Sequence, residues 1–365
     1  MKILIVDDSA LVRSILKHVL GTQKDLIVVG EASNGMKAID LNQKLEPDFI
    51  IMDINMPVMD GLEATRRIMQ DKPVPVLIFS SESETDIAYK TIDIGAVDVM
   101  RKPDIDQLNE PVFYQSFLQK IRVLAKKRVL SKQSRVDSKN KPGNIIHTSR
   151  IKTSSKKISF SNPGEAGLKR NPLDKKRYKF LVIGASTGGP SAVKEVLKNL
   201  PAGFPVGIAL VQHIEKGFDR GYASWLNAAT PLNVRLAEKT EMIQKGEVIV
   251  APADRHLIVK NDHLILNDGP RVLNQKPSVD VLFESAVNRF ESELIGVLLT
   301  GMGKDGANGC VSIYSKGGLT LVQNKETSAI FGMPKAAIEL GGASKVLPLG
   351  DISKFLVELL AIDAR

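Results

Sequence analysis

The stretch Tyr178-Lys-Phe-Leu-Val-Ile-Gly-Ala-Ser-Thr-Gly-Gly-Pro190 decides the fold of the second half of this chain, because it joins an apolar strand to a helix through a glycine-rich turn. Its first six residues are mostly apolar and favour a strand, and residues 190–200 have helical spacing with proline suited to the first helical position. Ser186 therefore stands where a strand ends and a helix begins. The free N–H groups and positive dipole end of that helix can stabilise an alkoxide or an oxyanion.

The same stretch fits the pattern Gly-x-Ser-x-Gly through Gly184, Ser186 and Gly188, which is typical of a nucleophile elbow. The glycines are also compatible with a phosphate-binding turn, although the full dinucleotide pattern with a following acidic partner is absent. A serine that only caps the helix is the third interpretation. This segment alone leaves the three alternatives open.

Length and composition indicate a globular chain of two or three domains, with 365 residues of which 43% are apolar. No apolar run reaches the ~18 residues of a membrane span, and the first strand leads directly into acidic residues instead of a cleavage site. We therefore expect a cytoplasmic protein. The single cysteine, Cys310, excludes an intrachain disulfide and a cluster of thiolate metal ligands.

The formal net charge of +9 is concentrated in one segment. Residues 126–177 contain 16 Lys and Arg against 3 acidic residues, whereas the rest of the chain has a small acidic excess. Because this segment is also rich in Ser, Asn and Pro and poor in aromatic residues, we expect a flexible basic linker. A tether to nucleic acid or anionic lipid is the alternative, and the lack of stacking residues argues against nucleic acid.

Two segments on either side of this linker alternate between strand-like and helix-like stretches. Residues 1–125 contain five βα units, which predict a small doubly wound parallel sheet of the α/β class. The expected strands are Ile3–Val6, Ile27–Gly30, Phe49–Met52, Val76–Phe79 and Val97–Met100. Residues 178–365 repeat the alternation, which predicts a second doubly wound domain. Its expected strands lie near 180–184, 206–212, 294–300 and 319–323.

Residues 248–267 differ from this alternation. They contain short apolar runs at 248–250, 257–259 and 264–266, and Asn261-Asp262 separates the last two. An Asn-Asp pair between two β-prone runs favours a tight turn. We therefore expect an antiparallel hairpin that is added to the second domain and contains all three runs.

Five polar residues of the first domain follow its strands, at the carboxyl edge where a parallel sheet binds its ligands. They are Asp7, Asp8, Asp53, Ser80 and Lys102. Three carboxylates at one edge would repel each other unless a hard cation such as Mg²⁺ lies between them. Asp53 is then a candidate phosphoryl acceptor, with Mg²⁺ and Lys102 neutralising charge on the transferred group.

The turn Asp53-Ile-Asn-Met-Pro-Val-Met-Asp-Gly61 resembles the Asp-x-x-Met-Pro-x-Met-Asp-Gly motif of the response-regulator receiver family, and the resemblance covers residues 1–125. It implies phosphorylation of the first aspartate of this turn. It also implies an Mg²⁺ site formed by Asp7, Asp8, Asp53 and the Asn55 carbonyl. Ser80 and Lys102 match the hydroxyl and the lysine that sense the phosphoryl group. Val99 stands where many receivers have an aromatic switch residue.

A serine nucleophile needs a base that titrates near neutral pH. His213 follows the apolar run 206–212, so we expect it at the carboxyl end of the strand beside Ser186. His256 and His263 flank the hairpin, where solvent-facing or capping roles are expected. His213 is therefore the candidate base.

The base in turn needs an acid that orients it. Asp305 lies in a glycine-rich turn just past a buried strand, at the same edge of the sheet as the serine and the histidine. Asp280 is the competing acid, and its position at a predicted helix start favours a helix-terminal role. The resulting order Ser, His, Asp differs from the Ser, Asp, His order of the α/β-hydrolases.

The region from about 178 to 362 is similar to the catalytic domain of the chemotaxis protein-glutamate methylesterase family, known as CheB. The similarity depends on five motifs that occur in order behind a receiver: Gly184-Ala-Ser-Thr-Gly-Gly189, Val211-Gln-His213, Pro277-Ser-Val-Asp-Val-Leu-Phe283, Thr300-Gly-Met-Gly-Lys-Asp-Gly306 and Phe331-Gly-Met-Pro-Lys-Ala336. Two features depart from the family pattern: the stretch Ile214-Glu-Lys216, which carries two charges directly after the histidine, and the long basic linker.

The resemblance implies Ser186 as nucleophile, His213 as base and Asp305 as orienting acid, with the main-chain amides of Thr187 and Met302 around the oxyanion. It further implies hydrolysis of glutamate methyl esters on chemoreceptors to glutamate and methanol, with deamidation of receptor glutamine as a second activity. The expected partners are methyl-accepting chemoreceptors as substrate and a chemotaxis histidine kinase as phosphodonor. The hydrolase needs no cofactor in this interpretation, and the protein meets the membrane only through its receptors.

Two other functions remain open from the sequence. The same triad could act on an ester or amide outside chemotaxis. Alternatively, the receiver could control a nucleic-acid-binding output through the basic linker, although the sequence contains no recognition helix or stacking motif that supports it.

Overall fold

The computed structural model describes residues 1–81, 85–102, 111–125 and 178–360. The predicted basic linker, residues 126–177, lies outside the described residues. In the part of the chain that is described, no helix combines the length and the apolar character needed to cross a membrane.

The first half forms a five-stranded parallel sheet with the strand order β2-β1-β3-β4-β5. Its strands are β1 (Lys2–Val6), β2 (Ile27–Ala32), β3 (Phe49–Asp53), β4 (Val76–Ser80) and β5 (Asp98–Arg101). The helices are α1 (Ala10–Gly21), α2 (Gly35–Leu45), α3 (Gly61–Asp71), α4 (Thr85–Ile94) and α5 (Pro111–Leu124). The prediction of a doubly wound sheet is confirmed, and each strand lies within two residues of its expected bounds.

The second half forms a seven-stranded parallel sheet with the order β15-β14-β13-β6-β7-β10-β8. Its strands are β6 (Phe180–Ala185), β7 (Gly207–Gln212), β8 (Asn233–Leu236), β10 (Glu247–Val250), β13 (Leu294–Leu298), β14 (Leu319–Gln323) and β15 (Lys345–Leu347). The helices are α6 (Gly189–Leu197), α7 (Asp219–Ala229), α8 (Val279–Phe290), α9 (Ala307–Ser315), α10 (Met333–Glu339) and α11 (Leu349–Leu359). β6 and β7 are buried throughout, as strands covered on both faces by helices must be.

A separate antiparallel sheet consists of β9 (Thr240–Met242), β11 (His256–Lys260) and β12 (His263–Asn267), in the order β11-β12-β9. The predicted hairpin of β11 and β12 is confirmed, and both turn residues, Asn261 and Asp262, have positive φ angles of 50° and 62°. The assignment of 248–250 to this hairpin is wrong. That run is β10, which pairs in parallel with β7 and β8 and is largely buried.

The two halves pack against each other through α4 on one side and α6 and α7 on the other. Tyr89 on α4 is only 3% exposed, and its ring lies 5.3 Å from that of Tyr222 and 5.7 Å from that of Trp225. Aromatic pairs of this kind contribute about 0.5–1.5 kcal/mol beyond the area they bury. The cluster therefore holds the first half of the chain against the second half.

Polar contacts surround these aromatic rings. Asp93 on α4 accepts a hydrogen bond from Trp225 Nε1 at 3.1 Å and forms an ion pair with Lys194 on α6. Thr85 lies so close to Gly221 on α7 that a Cβ at position 221 would be 2.6 Å from the threonine hydroxyl. Directional contacts of this kind fix the orientation of one half relative to the other.

Candidate functional site

Ser186 lies on a tight turn between β6 and α6. Its N–H donates to the Thr300 carbonyl at 3.0 Å, which holds the turn against the loop after β13. Gly188, the residue before α6, has a φ of 73°, and a Cβ there would lie 2.4 Å from the Ala329 Cβ. Only glycine fits this conformation and this space without strain. The predicted strand–turn–helix geometry around the serine is therefore present.

His213 lies beside Ser186 because of the register of β6 and β7 and the hydrogen bonds of Gln212. Ala185 and Gln212 are partners in the parallel β6–β7 pair, so the serine and the histidine are the next residues of neighbouring strands. The His213 N–H donates to the Ala185 carbonyl at 3.0 Å. The buried Gln212 amide then donates to the carbonyls of both Ser186 and His213, at 2.8 and 3.0 Å. One side chain thus ties Ser186 and His213 together.

His213 and Asp305 form a hydrogen-bonded pair. The Nε2 atom lies 2.7 Å from Asp305 Oδ2, so the ring carries its proton on that nitrogen when neutral. The other ring nitrogen, Nδ1, is buried and has no hydrogen-bond partner among the described residues. Its lone pair is therefore available to a proton from a serine, and Nδ1 is the candidate basic atom.

Asp305 is 2% exposed and surrounded by donors. It accepts hydrogen bonds from His213 and Ser278 side chains and from the N–H groups of Val279 and Asp280, at 2.7 to 3.0 Å. Burial alone would raise the pKa of Asp305, but the histidine and the two N–H groups outweigh it and hold the pKa below its usual value. The carboxylate therefore stays ionised at neutral pH. The motif Pro277–Phe283 supplies these donors.

Two main-chain N–H groups near Ser186 have no acceptor within the described part of the chain. The N–H groups of Thr187 and Met302 donate no hydrogen bond to any residue in the described ranges. Gly301 lies against the nucleophile, since a Cβ there would be 2.8 Å from the Ser186 Cβ. The Gly332 and Met333 N–H groups donate to the Gly301 carbonyl at 3.0 and 2.9 Å, so the motif around them anchors this loop. The arrangement suits an oxyanion pocket.

His256 has a different role from the expected solvent-facing one. It is 1% exposed, Nε2 lies 2.9 Å from the Pro270 carbonyl, and Nδ1 accepts the Ser278 N–H at 3.2 Å. It therefore supports the turn whose serine bonds Asp305. His263 is partly exposed, with Nδ1 2.7 Å from the Asn261 carbonyl, as expected of a hairpin residue.

Replacing His256 by alanine should destabilise the hydrolase more than it slows any chemistry. The change leaves the Ser278 N–H and the Pro270 carbonyl buried without a partner, which costs about 1–3 kcal/mol per group. Thermal unfolding followed by circular dichroism measures the effect. His263→Ala is the matched control and should change stability by less than about 1 kcal/mol. Equal shifts in Tm for the two variants would contradict this role.

Three carboxylates converge at the carboxyl edge of the first sheet, as predicted. Asp7, Asp8 and Asp53 offer oxygens that all lie within 4.8 Å of one another. Lys102 Nζ bridges the two buried ones, 2.9 Å from Asp7 and 2.8 Å from Asp53. Burial raises the pKa of Asp53 to about 6, and Lys102 limits the rise. Such a crowded set of hard oxygens fits a divalent cation such as Mg²⁺.

The other predicted receiver residues surround this site. Ser80 is fully buried at the end of β4, next to the strand that carries Asp53, and its hydroxyl donates to the Ser81 carbonyl at 3.3 Å. Asn55 follows Asp53 by two residues in the turn toward α3. Val99, at the position of the usual aromatic switch, is 8% exposed inside β5.

A contact that the sequence does not predict joins the receiver to the nucleophile elbow. Asp98, the first residue of β5, is 3% exposed and accepts a hydrogen bond from the Gly188 N–H at 3.4 Å. Lys120 on α5 forms an ion pair with the same Asp98 oxygen at 3.2 Å. Glu215, one of the unusual charged residues after His213, interacts electrostatically with Lys120 and Asp98. The receiver thus lies directly against the turn that carries Ser186.

Comparisons with known proteins identify the families of both halves of the chain. The family model described as CheB methylesterase matches residues 181–356, and the one described as response regulator receiver domain matches residues 3–113. A protein-glutamate methylesterase/protein-glutamine glutaminase of Hydrogenovibrio crunogenus is 37% identical over 99% of this chain and 99% of its own length. A similarly named protein of Geobacter metallireducens is 38% identical, over 98% of this chain and 95% of its own.

Among solved structures, the crystal structure of the Thermotoga maritima CheB methylesterase catalytic domain is 40% identical, with a TM-score of 0.48, and covers 50% of this chain and 98% of its own. Fold and family matches together define a hydrolase with an α/β fold that is linked to a receiver domain. The family matches and the full-length relatives also show the particular family: the chain belongs to the protein-glutamate methylesterase/protein-glutamine glutaminase family.

Proposed function

We propose that this protein hydrolyses glutamate methyl esters on chemoreceptors to glutamate and methanol, deamidates receptor glutamine, and is switched on by phosphorylation of Asp53. The domains are the receiver, residues 1–125, the basic linker, residues 126–177, and the hydrolase, residues 178–365. The observation that carries the proposal is the His213–Asp305 pair, whose free Nδ1 lies at the sheet edge that also carries Ser186.

The first half of the reaction forms an acyl-enzyme. His213 Nδ1 takes the proton of the Ser186 hydroxyl while the serine oxygen attacks the ester carbonyl carbon. The N–H groups of Thr187 and Met302 stabilise the oxyanion that forms. The C–O bond to the methoxy group then breaks, and the proton on His213 passes to the leaving group, which departs as methanol. Asp305, ionised throughout, stabilises the imidazolium.

The second half repeats these steps with water. His213 removes a proton from the water molecule that attacks the acyl carbon, and it returns the proton to Ser186 as the bond to the serine oxygen breaks. The product is a glutamate side chain. With a glutamine side chain the same sequence releases ammonia in place of methanol. Apart from this water molecule, the proposed steps use side chains and main-chain amides of the chain.

Asp53 is the proposed phosphoryl acceptor for a chemotaxis histidine kinase. Asp7, Asp8, Asp53 and the Asn55 carbonyl would hold Mg²⁺, which when bound neutralises charge on the phosphoryl group during its transfer. Lys102 pairs with the phosphoryl oxygens and Ser80 donates a hydrogen bond to them, which draws the ends of β4 and β5 toward the new charge. Lys102 directly follows β5 and is four residues from Asp98, the first residue of that strand, whose side chain contacts the turn of Ser186.

Methanol release from methylated receptor membranes tests this function. The full-length protein should release methanol, and a small phosphodonor with Mg²⁺ should raise the rate at least about tenfold, because a change of ~1.4 kcal/mol in the equilibrium between covered and open sites suffices. Asp53→Ala should keep the basal rate and lose the response. Ser186→Ala is the background control. Hydrolysis of a small soluble ester without any methanol from receptors would favour a substrate outside chemotaxis.

A further inference from the structure

Asp305 and Asp280 cap each other's helices. Asp305 precedes α9 and accepts hydrogen bonds from the N-terminus of α8, whereas Asp280 belongs to α8 and accepts one from the N-terminus of α9. Asp305 stands two residues before α9, and its carboxylate accepts the Val279 and Asp280 N–H groups of the first turn of α8, at 2.7 and 3.0 Å. Asp280 is the second residue of α8, and its Oδ1 accepts the Gly309 N–H of the first turn of α9 at 2.8 Å. The two helices therefore exchange their caps.

Helix α9 depends on this exchange, because it has no side-chain cap of its own. The residue before it is Gly306, whose φ is 87° and which offers no side-chain acceptor. Helix α8, in contrast, also has Ser278, whose hydroxyl accepts the Val281 N–H at 3.4 Å. A helix leaves its first N–H groups without partners unless a cap supplies them. Asp280 fills that role for the helix that follows the catalytic turn.

Capping α9 with a carboxylate costs free energy, because the charged group must be buried. Asp280 is 3% exposed and lies beside a second buried carboxylate, Asp305. Burial raises the pKa of Asp280 to about 6, and the Asp305 charge adds to the rise. Neutral Asn or Ser caps a helix without this cost. We therefore expect the negative charge of Asp280 to contribute to the hydrolase site in addition to capping α9.

We propose that Asp280 is a positioning residue of the hydrolase: it fixes the turn that carries Met302 and Asp305 by capping α9, and its charge strengthens the hold of the Asp305–His213 pair on a proton. The proposal deepens the function proposed above and depends on it. Asp280 has no hydrogen bond to Ser186 or His213, and it acts through the catalytic turn and Asp305. A misplacement of about 1 Å in such a catalytic array can cost about 100-fold in rate.

The titratable groups that face Asp280 limit what a pH profile can report. They are Glu284 on its own helix, Asp305 in the turn, Cys310 on α9, and, one residue removed, His213 and His256. Burial raises the pKa of Cys310 well above its usual value, so this thiol stays neutral. Glu284 is exposed and provides a matched charge on the same helix, one turn further on.

The test compares Asp280→Ala, Asp280→Asn and the control Glu284→Gln in the full-length protein, with a small soluble ester between pH 5 and 9. Asp280→Ala should lower kcat about 10- to 100-fold and leave KM within about twofold, because it disorders the catalytic turn. Asp280→Asn should restore kcat to within about fivefold, since its amide oxygen can accept the Gly309 N–H. Glu284→Gln should match the wild-type protein.

The pH profile separates positioning from mere structural support. With one negative charge fewer nearby, His213 takes up a proton less readily, so the acid limb of kcat/KM should move to lower pH by about half a unit in Asp280→Asn. If Asp280→Ala does not fold, the shift of the acid limb in Asp280→Asn tests the proposal by itself. An unshifted limb in Asp280→Asn, or a wild-type kcat in a folded Asp280→Ala, would overturn the proposal. Ser186→Ala in parallel shows whether the triad itself carries the measured activity.

Discussion

Replacing Ser186 by alanine in the full-length protein should lower ester hydrolysis about 10³-fold or more, while the fold stays intact. The hydroxyl is the only group of the side chain that can attack the ester, and the turn around it is held by main-chain hydrogen bonds that alanine keeps. His213→Ala should lose a similar factor, because no other base faces the nucleophile in the proposed mechanism. Steady-state kinetics with a small soluble ester measure both losses.

Two further variants serve as comparisons for the loss of activity in Ser186→Ala. Ser191→Ala makes the same change five residues away, at an exposed position in the first turn of α6, and should leave the rate within about twofold. Asp305→Asn should lose somewhat less than His213→Ala, because the imidazole remains in place but loses the charge that stabilises its protonated form. Near wild-type turnover by Ser186→Ala would show that the nucleophile is a different residue.

The sequence groups the proposed catalytic residues because each one follows the carboxyl end of a buried strand, Asp305 by seven residues. In a parallel sheet all those ends meet at one edge, so Ser186, His213 and Asp305 could be grouped before any coordinates were known. The same reasoning grouped Asp7 and Asp53 in the receiver. Strand alternation is a local signal, and it is strong where both faces of a strand are covered.

Other features depend on partners that lie far away in the chain. The run 248–250 resembles its hairpin neighbours in composition, and only its parallel partners β7 and β8 decide its sheet. His256 has two buried partners, Pro270 and Ser278, that no spacing rule connects to it. Which nitrogen of His213 faces Asp305 likewise depends on how two loops meet. These features follow from tertiary packing, which periodicity does not report.

The contact between Asp98 and Gly188 was the hardest feature to predict, and we expect it to have the largest effect on regulation. It lies between two domains separated by more than fifty residues of linker, and neither residue belongs to a motif that pairs them. Asp98 places a negative charge at an N–H that adjoins Thr187, one of the proposed oxyanion donors. An oxyanion that forms next to this turn is repelled by the Asp98 charge, of which the paired Lys120 screens a part. Each ~1.4 kcal/mol of net repulsion lowers the rate about tenfold.

Replacing Asp98 by alanine should therefore raise the basal hydrolysis of a small ester by about 10- to 100-fold without any phosphodonor. The same variant should gain little from a phosphodonor, since the charge that phosphorylation moves away from the elbow is already gone. Asp71→Ala, an exposed change at the end of α3 far from the hydrolase contacts named above, is the matched control and should behave as wild type.

A fragment without residues 1–130 gives an independent measure, because it removes Asp98 together with the aromatic contacts of Tyr89. It should be active from the start and should equal or exceed the rate of Asp98→Ala. A fragment that matches the fast variant assigns most of the inhibition to one carboxylate, whereas a much faster fragment assigns it to the covering of the site by α4 and its neighbours. A fragment no faster than the unphosphorylated full-length chain would show that the receiver does not inhibit by contact, and activation by Asp53 phosphorylation would then need another route. The triad would keep its assignment in that case, because Ser186, His213 and Asp305 all lie within the remaining domain.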